Sequence, residues 1–170
     1  EPLCITNSTG LFSKVIDVNS TYPIGNINVS ANYSGQEEGY PKYQNTNSTR
    51  YVTVKGNTIL NLSSIITEGI AVGSSVEISG NLTDELGVSL INESGEYAIP
   101  KVKFVINGSG TIKLKNVTNP TGSFSVSCPI PEDIPAGAYN LTAKYEESDF
   151  YFGTTDTIEI IIRGLTYINS

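Results

Sequence analysis

Histidine, methionine and tryptophan are absent from this sequence, and only 2 of its 170 residues are cysteines. Histidine-based catalytic triads and most zinc sites are therefore excluded, because both depend on an imidazole. Charged residues make up 16% of the chain and the formal net charge is -7, whereas soluble proteins average about 25% charged residues. We expect no nucleic-acid partner, since few cations are present to neutralise a row of phosphates.

Long apolar runs are also missing. The longest apolar patch lies near residues 158–162 and is far shorter than the ~20 residues that a membrane helix needs, so we predict no membrane span. Isoleucine occurs 20 times, and β-branched residues favour strands. Because Glu1 and Pro2 cannot begin a translated chain, we expect that a signal segment was removed and that the protein is extracellular.

Acceptor motifs for N-linked glycans are unusually dense. The sequence holds 11 Asn-x-Ser/Thr motifs, whereas its composition would give roughly 3 by chance. We predict glycosylation at these asparagines: Asn7, Asn19, Asn28, Asn32, Asn47, Asn61, Asn81, Asn92, Asn107, Asn116 and Asn140. The period of two in the surrounding strands places most of them on the solvent face. Asn116 is the exception, since it is in phase with Ile112 and Leu114.

The two cysteines, Cys4 and Cys128, lie 124 residues apart. In a secreted chain a disulfide is the default, so we predict that they are disulfide-linked. The alternative is a pair of buried free thiols. The sequence leaves open whether the bond would lie within one chain or between chains.

An internal repeat relates the two ends of the chain. Residues 7–13 (NSTGLFS) match residues 119–125 (NPTGSFS) at an offset of 112, and residues 28–33 (NVSANY) match residues 140–145 (NLTAKY) at the same offset. After a loop that differs by four residues, residues 51–56 match residues 159–164 at an offset of 108. The chain therefore contains about one and a half copies of one unit.

Seven short strands are predicted for the second copy, at residues 75–80, 88–91, 101–106, 111–115, 123–127, 138–145 and 155–162. Such a series within 100 residues is typical of a two-sheet sandwich. The segments 75–84 (SVEISGNLTD), 99–108 (IPKVKFVING), 121–125 (TGSFS) and 135–145 (PAGAYNLTAKY) resemble the immunoglobulin-like repeats of prokaryotic surface proteins. This resemblance covers roughly residues 70–163 and implies the fold.

We therefore predict an all-β protein with two immunoglobulin-like β-sandwich domains, of which the N-terminal one is incomplete. The first domain, residues 1–68, matches only the back half of the second domain, residues 69–163. A half-sandwich leaves core side chains uncovered and strand edges unpaired, so we expect it to need a donated strand. Residues 164–170 form a C-terminal tail that is a candidate donor.

Two functions suit this organisation. The first is a structural subunit of an extracellular glycosylated filament, a pilus or thread, assembled head-to-tail as a homopolymer by donor-strand complementation. In sequon density, scarcity of charge and paired β-domains the whole chain resembles the glycosylated donor-strand filaments of archaea called threads. The alternative is an adhesin or S-layer stalk module that binds a carbohydrate or protein ligand.

We predict that the protein is not an enzyme and that it binds no cofactor or metal. The acidic pairs that could act as catalytic carboxylates point to opposite faces of a strand or lie in loops. The cluster of Glu146, Glu147 and Asp149 could bind calcium, but the spacing of a calcium-binding loop is missing.

The C-terminal tail is the preferred donor strand. Leu165 and Tyr167 fall on one face by the period of two and would fill the open core. Ile168 is the third residue of the predicted donor-strand interface. The N-terminal residues 2–7 are the alternative donor.

Overall fold

The computed structural model describes residues 4–19, 22–35, 44–64, 69–92, 94–117 and 119–164. These residues form ten β-strands and no helix, so the all-β prediction is confirmed. The chain divides into two compact units, a first unit of residues 1–54 and a second unit of residues 55–170.

The first unit contains two antiparallel strands, β1 (Gly25–Tyr33) and β2 (Thr46–Val54). Apolar and polar residues alternate along β1, so that Ile27, Val29, Ala31 and Tyr33 share one face. None of the described residues of this unit is buried. A two-stranded sheet without a buried core is marginally stable in water at best.

The second unit contains eight strands in two sheets. Their bounds are β3 (Thr58–Ser64), β4 (Ile70–Ala71), β5 (Ser75–Asp84), β6 (Lys101–Ile106), β7 (Gly110–Asn116), β8 (Ser123–Pro129), β9 (Gly137–Tyr145) and β10 (Thr154–Arg163). One sheet has the order β3-β5-β8, and the other has the order β4-β10-β9-β6-β7. All neighbours are antiparallel except β4 and β10, which are parallel.

The core of the second unit lies between these two sheets. Alternating residues of β5, β6, β8 and β9 are buried, as the sequence pattern requires for a sheet with one solvent face. Phe104 on β6 meets Phe124 on β8 edge to face, with ring centroids 6.0 Å apart. The sheets therefore pack as a sandwich whose aromatic contact lies between layers.

The boundary between the units differs from the one expected from the sequence. Residues 57–64 were assigned to the first domain, but β3 pairs with β5 along its whole length, and Leu60 lies opposite Leu82. Leu60 is buried in the second unit as a result. The boundary falls between residues 54 and 55 because β3 has a partner only in the second unit.

The strand expected at residues 88–91 is not formed; residues 88–90 are irregular and lie between two turns. The carboxylate of Asp84 accepts hydrogen bonds from the amides of Leu86 and Val88, and the side chain of Asn92 does the same for Ser94 and Glu96. Local side-chain acceptors of this kind compete with a β-ladder for the backbone amides. A single bridge between Ile91 and Tyr97 remains.

Within the part of the chain that the structure describes, there is no helix of the length and apolar character that would let it cross a membrane.

Candidate functional site

The two copies of the repeat share one strand register. Gly25 pairs with Val54 at one end of the β1–β2 ladder, and Tyr33 pairs with Thr46 at the other end. Adding the repeat offset of 112 to the β1 residues and 108 to the β2 residues gives Gly137–Ile162 and Tyr145–Thr154. These are the end pairs of the β9–β10 ladder. The ladders therefore correspond position by position, and β1 and β2 are the counterparts of β9 and β10.

The turn that opens the repeat is also the same in both copies. The Asn7 side chain accepts hydrogen bonds from the amide and hydroxyl of Thr9, and the Asn119 side chain accepts the same two bonds from Thr121. Gly10 and Gly122 follow with φ angles of 78° and 76°. These matching turns extend the correspondence to residues 11–17, the counterpart of β8.

Positions that form the core of the second unit are open in the first. Tyr145 is 6% exposed, whereas its counterpart Tyr33 is 45% exposed. Phe124 is 7% exposed, whereas its counterpart Phe12 is 55% exposed. The same contrast holds at three more positions, and we define the open core as Phe12, Ile16, Val29, Tyr33 and Val52.

Strand partners present in the second unit explain this contrast. There, β9 lies between β10 and β6, and β8 pairs with β5. Among the described residues of the first unit, β1 pairs with β2 alone, and residues 11–19 belong to no strand. Among its described residues, the first unit thus has the counterparts of β9 and β10 but no strands that pair as β6 and β5 do in the second unit.

The uncovered edge of β1 has no protection against pairing. Edge strands are commonly guarded by charged side chains, especially lysine, or by proline, and β1 contains neither. By contrast, β7 at the edge of the five-stranded sheet carries Lys113 and Lys115. At β3, the Asp156 carboxylate accepts a hydrogen bond of 2.7 Å from the Leu62 amide. No other described strand pairs with this edge of β1.

All 11 sequon asparagines lie in the described part of the chain and all are exposed, including Asn116, which ends β7. Four of them form two pairs of directly opposite residues on neighbouring strands, Asn32 with Asn47 and Asn61 with Asn81. Opposite residues in a ladder have Cβ atoms about 5 Å apart, so glycans at both members would emerge side by side.

Cys4 and Cys128 are both free thiols, so the predicted disulfide is absent within the single chain. Cys4 is exposed and its Sγ donates to the Ser13 carbonyl over 3.3 Å. Cys128 on β8 is fully buried, and burial raises the pKa of its thiol to about 11. Nearby Lys113 lowers this pKa and Glu77 raises it, both by smaller amounts. Cys128 therefore packs as a small apolar residue of the core.

We expect a thiol reagent to label one cysteine in the native chain at pH 8 and two after denaturation. Cys4 is accessible. Cys128 is shielded by packing, and its thiol stays protonated because its pKa of about 11 lies well above pH 8. Mass spectrometry of the labelled peptides assigns the sites. No labelling in either state would contradict the free thiols and restore the disulfide.

Two of the three carboxylates in the acidic cluster at residues 146–149 form ion pairs. Lys55 Nζ lies 2.5 Å from Glu147 and Lys144 Nζ lies 2.9 Å from Glu146. The Lys55 ammonium also donates to the Ser148 carbonyl over 3.0 Å. In the described ranges no three potential metal ligands come together, and these carboxylates instead fix the loop between β9 and β10.

The donor-strand residues predicted from the sequence, Leu165, Tyr167 and Ile168, lie outside the described residues. None of the five residues of the open core was identified from the sequence as an interface position. The repeat itself carried the signal, since the offset of 112 aligns Phe12 with Phe124 and Ile16 with Cys128. The sequence alone did not show that these counterparts are buried.

Comparison with known proteins gives no match, either to the model of a protein family or to a curated protein sequence.

Proposed function

We propose that this chain is a structural subunit of an extracellular, glycosylated filament, in which each copy completes the first unit of the next. The observation that carries the proposal is the open core. Phe12, Tyr33 and Val52 occupy positions that are buried in the second unit, yet each is about half exposed. Burying a large apolar side chain contributes about 1.5–3 kcal/mol, so a strand that covers these residues gains substantial free energy.

Head-to-tail assembly follows because the first unit and the C-terminal tail have different roles. The first unit accepts a strand, and the tail beyond β10 offers one, so the contact joins different surfaces on the two copies. Contacts of this heterologous type do not close on themselves unless the rotation between copies permits it, and they generate fibres. Strand addition to an open sheet edge supplies main-chain hydrogen bonds along the whole contact.

Glycosylation is part of the same proposal. The support is that all 11 sequon asparagines are exposed, six of them on the second unit where many side chains are buried. A carbohydrate coat would provide the solubility that a chain with only 16% charged residues lacks. Intact masses of the native protein before and after deglycosylation count the glycans, and we expect most sites to be occupied. Fewer than four glycans would contradict this.

An immunoglobulin-like topology is also proposed for the second unit. The parallel pairing of β4 with β10, next to antiparallel sheets, supports it. So does Tyr139 near the start of β9, whose hydroxyl donates to the Pro135 carbonyl over 2.9 Å. A tyrosine that binds the backbone a few residues upstream at this corner is a feature of such sandwiches. An experimental structure with β4 on another strand would argue against it.

The stalk or adhesin alternative has one observation in its favour. A groove of about 570 Å³ runs along the second unit, and its lining includes Ile99, Lys103, Leu114 and Phe150. Apolar grooves with a few polar groups are the usual form of ligand sites. A ligand-binding module of this kind would remain monodisperse when purified.

Electron microscopy of the purified chain tests the proposal. We expect the full chain to form fibres and the chain without residues 164–170 to remain as folded monomers, because the donor strand is lost. Substituting Leu165 and Tyr167 by aspartate should also prevent fibres, whereas Thr166→Asp, on the opposite face, should not. A monodisperse full chain would contradict the filament, and normal fibres from the truncated chain would contradict the C-terminal donor.

A further inference from the structure

The second unit shows where an added strand would lie on the first. Strand β9 has β10 on one side and β6 on the other, whereas β1 has, among the described strands, only β2, the counterpart of β10, beside it. We propose that the tail of a second copy binds the free edge of β1, antiparallel to it and in the register that β6 holds on β9. The inference rests on the proposed function and adds the edge, the direction and the residue pairing.

The β6–β9 ladder defines that register. Val102 lies opposite Tyr145, Phe104 lies opposite Ala143 and Ile106 lies opposite Leu141, and all six side chains are buried. By the offset of 112, the partners on β1 are Tyr33, Ala31 and Val29. The incoming strand must therefore present an aliphatic side chain to Tyr33 and a large one to the small Ala31.

The tail has the side-chain order that this register requires. Residues 165–168 read Leu-Thr-Tyr-Ile, and residues 102–105 of β6 read Val-Lys-Phe-Val. Both segments therefore have the same order of side chains: an aliphatic residue, a polar residue, an aromatic residue and a second aliphatic residue. With Leu165 opposite Tyr33, Tyr167 comes opposite Ala31 and Thr166 comes opposite Asn32.

An aromatic side chain at this place would also complete a contact between the layers. In the second unit, the Phe104 ring meets Phe124 at 6.0 Å. The counterpart of Phe124 is Phe12, whose ring is 55% exposed. Tyr167 of the second copy would thus take the role of Phe104 and cover Phe12, which the β1–β2 pair does not do.

Cysteine trapping between two copies tests the register. All chains carry Cys4→Ser, which removes the exposed thiol, and are made without glycans. One chain carries Asn32→Cys or Ser30→Cys on the outer face of β1, and the other carries Thr166→Cys or Ile168→Cys. Mixed in pairs and oxidised mildly, the chains form disulfide-linked dimers only where the Cα atoms lie within about 7 Å.

The proposed register pairs position 32 with 166 and position 30 with 168. We expect these combinations to give about tenfold more dimer than the crossed pairs 32 with 168 and 30 with 166, because residues two positions out of register lie too far apart. Fibres from the full chain with no preference among the four pairs, or with cross-links elsewhere, would overturn this register and leave the filament intact. A full chain that forms neither fibres nor cross-links would overturn both.

Discussion

Gly122→Ala is expected to destabilise the second unit by about 3–5 kcal/mol. Gly122 has a φ of 76°, a conformation that costs any residue with a Cβ atom about 1–2 kcal/mol. A Cβ atom would also lie within van der Waals overlap of the Leu82 carbonyl oxygen on β5, which is backbone and cannot rotate away. In addition, the Leu82 amide donates to the Gly122 carbonyl over 2.9 Å, and this bond would be displaced.

Chemical denaturation of the full chain, followed by the near-ultraviolet circular dichroism of its tyrosines, measures this loss. Gly87→Ala is the matched control, because Gly87 has a φ of 77° and nothing lies within 4 Å of a Cβ atom there. It should cost about 1–2 kcal/mol, the backbone strain alone. Equal losses from the two substitutions would show that the contact with Leu82 does not contribute.

The counterpart of Gly122 in the first unit illustrates what that unit lacks. Gly10 has a φ of 78° and the same turn, yet a Cβ atom there would have no neighbour within 4 Å. The difference arises because β5 passes beside Gly122, and no described strand passes beside Gly10. The same four-residue turn is therefore packed in one copy and open in the other.

Much of the fold was accessible from the sequence because alternation of apolar residues is a local property. The strands around residues 28–33 and 140–145 were predicted, and their shared sequon at Asn28 and Asn140 anticipated the matching ladders. The repeat offset also aligned β1 and β2 with β9 and β10, and these two ladders do share one register. Periodicity and internal similarity need no knowledge of distant partners.

Features that depend on distant partners were not accessible. The assignment of β3 to the second unit depends on its pairing with β5, which the pattern of Ile59, Leu60 and Leu62 does not reveal. The strand expected at residues 88–91 is interrupted because the side-chain oxygens of Asp84 and Asn92 accept hydrogen bonds from nearby amides, including that of Val88. The disulfide between Cys4 and Cys128 was inferred from the expected secretion of the chain and from its having two cysteines. Neither fact determines whether the two thiols come into contact.

The distinction between edge and central strands leads to the second large effect. Within the described part of the chain, β1 has one neighbouring strand and no buried residue around it, whereas β9 has neighbours on both sides. Amides of a marginal two-stranded sheet exchange through low-energy local opening, and amides of a central strand exchange only through near-global unfolding. We expect exchange in residues 25–33 to be about 100-fold or more faster than in residues 137–145.

Hydrogen–deuterium exchange of these two matched segments, measured in the dilute monomer and in the assembled protein, tests most directly whether the first unit is completed by another copy. We expect the amides of residues 25–33 to exchange rapidly in the monomer and to slow toward the rate of residues 137–145 on assembly. The exchange rate of residues 137–145 should not change. Protection of residues 25–33 in the monomer equal to that of residues 137–145, or no gain in protection on assembly, would contradict it.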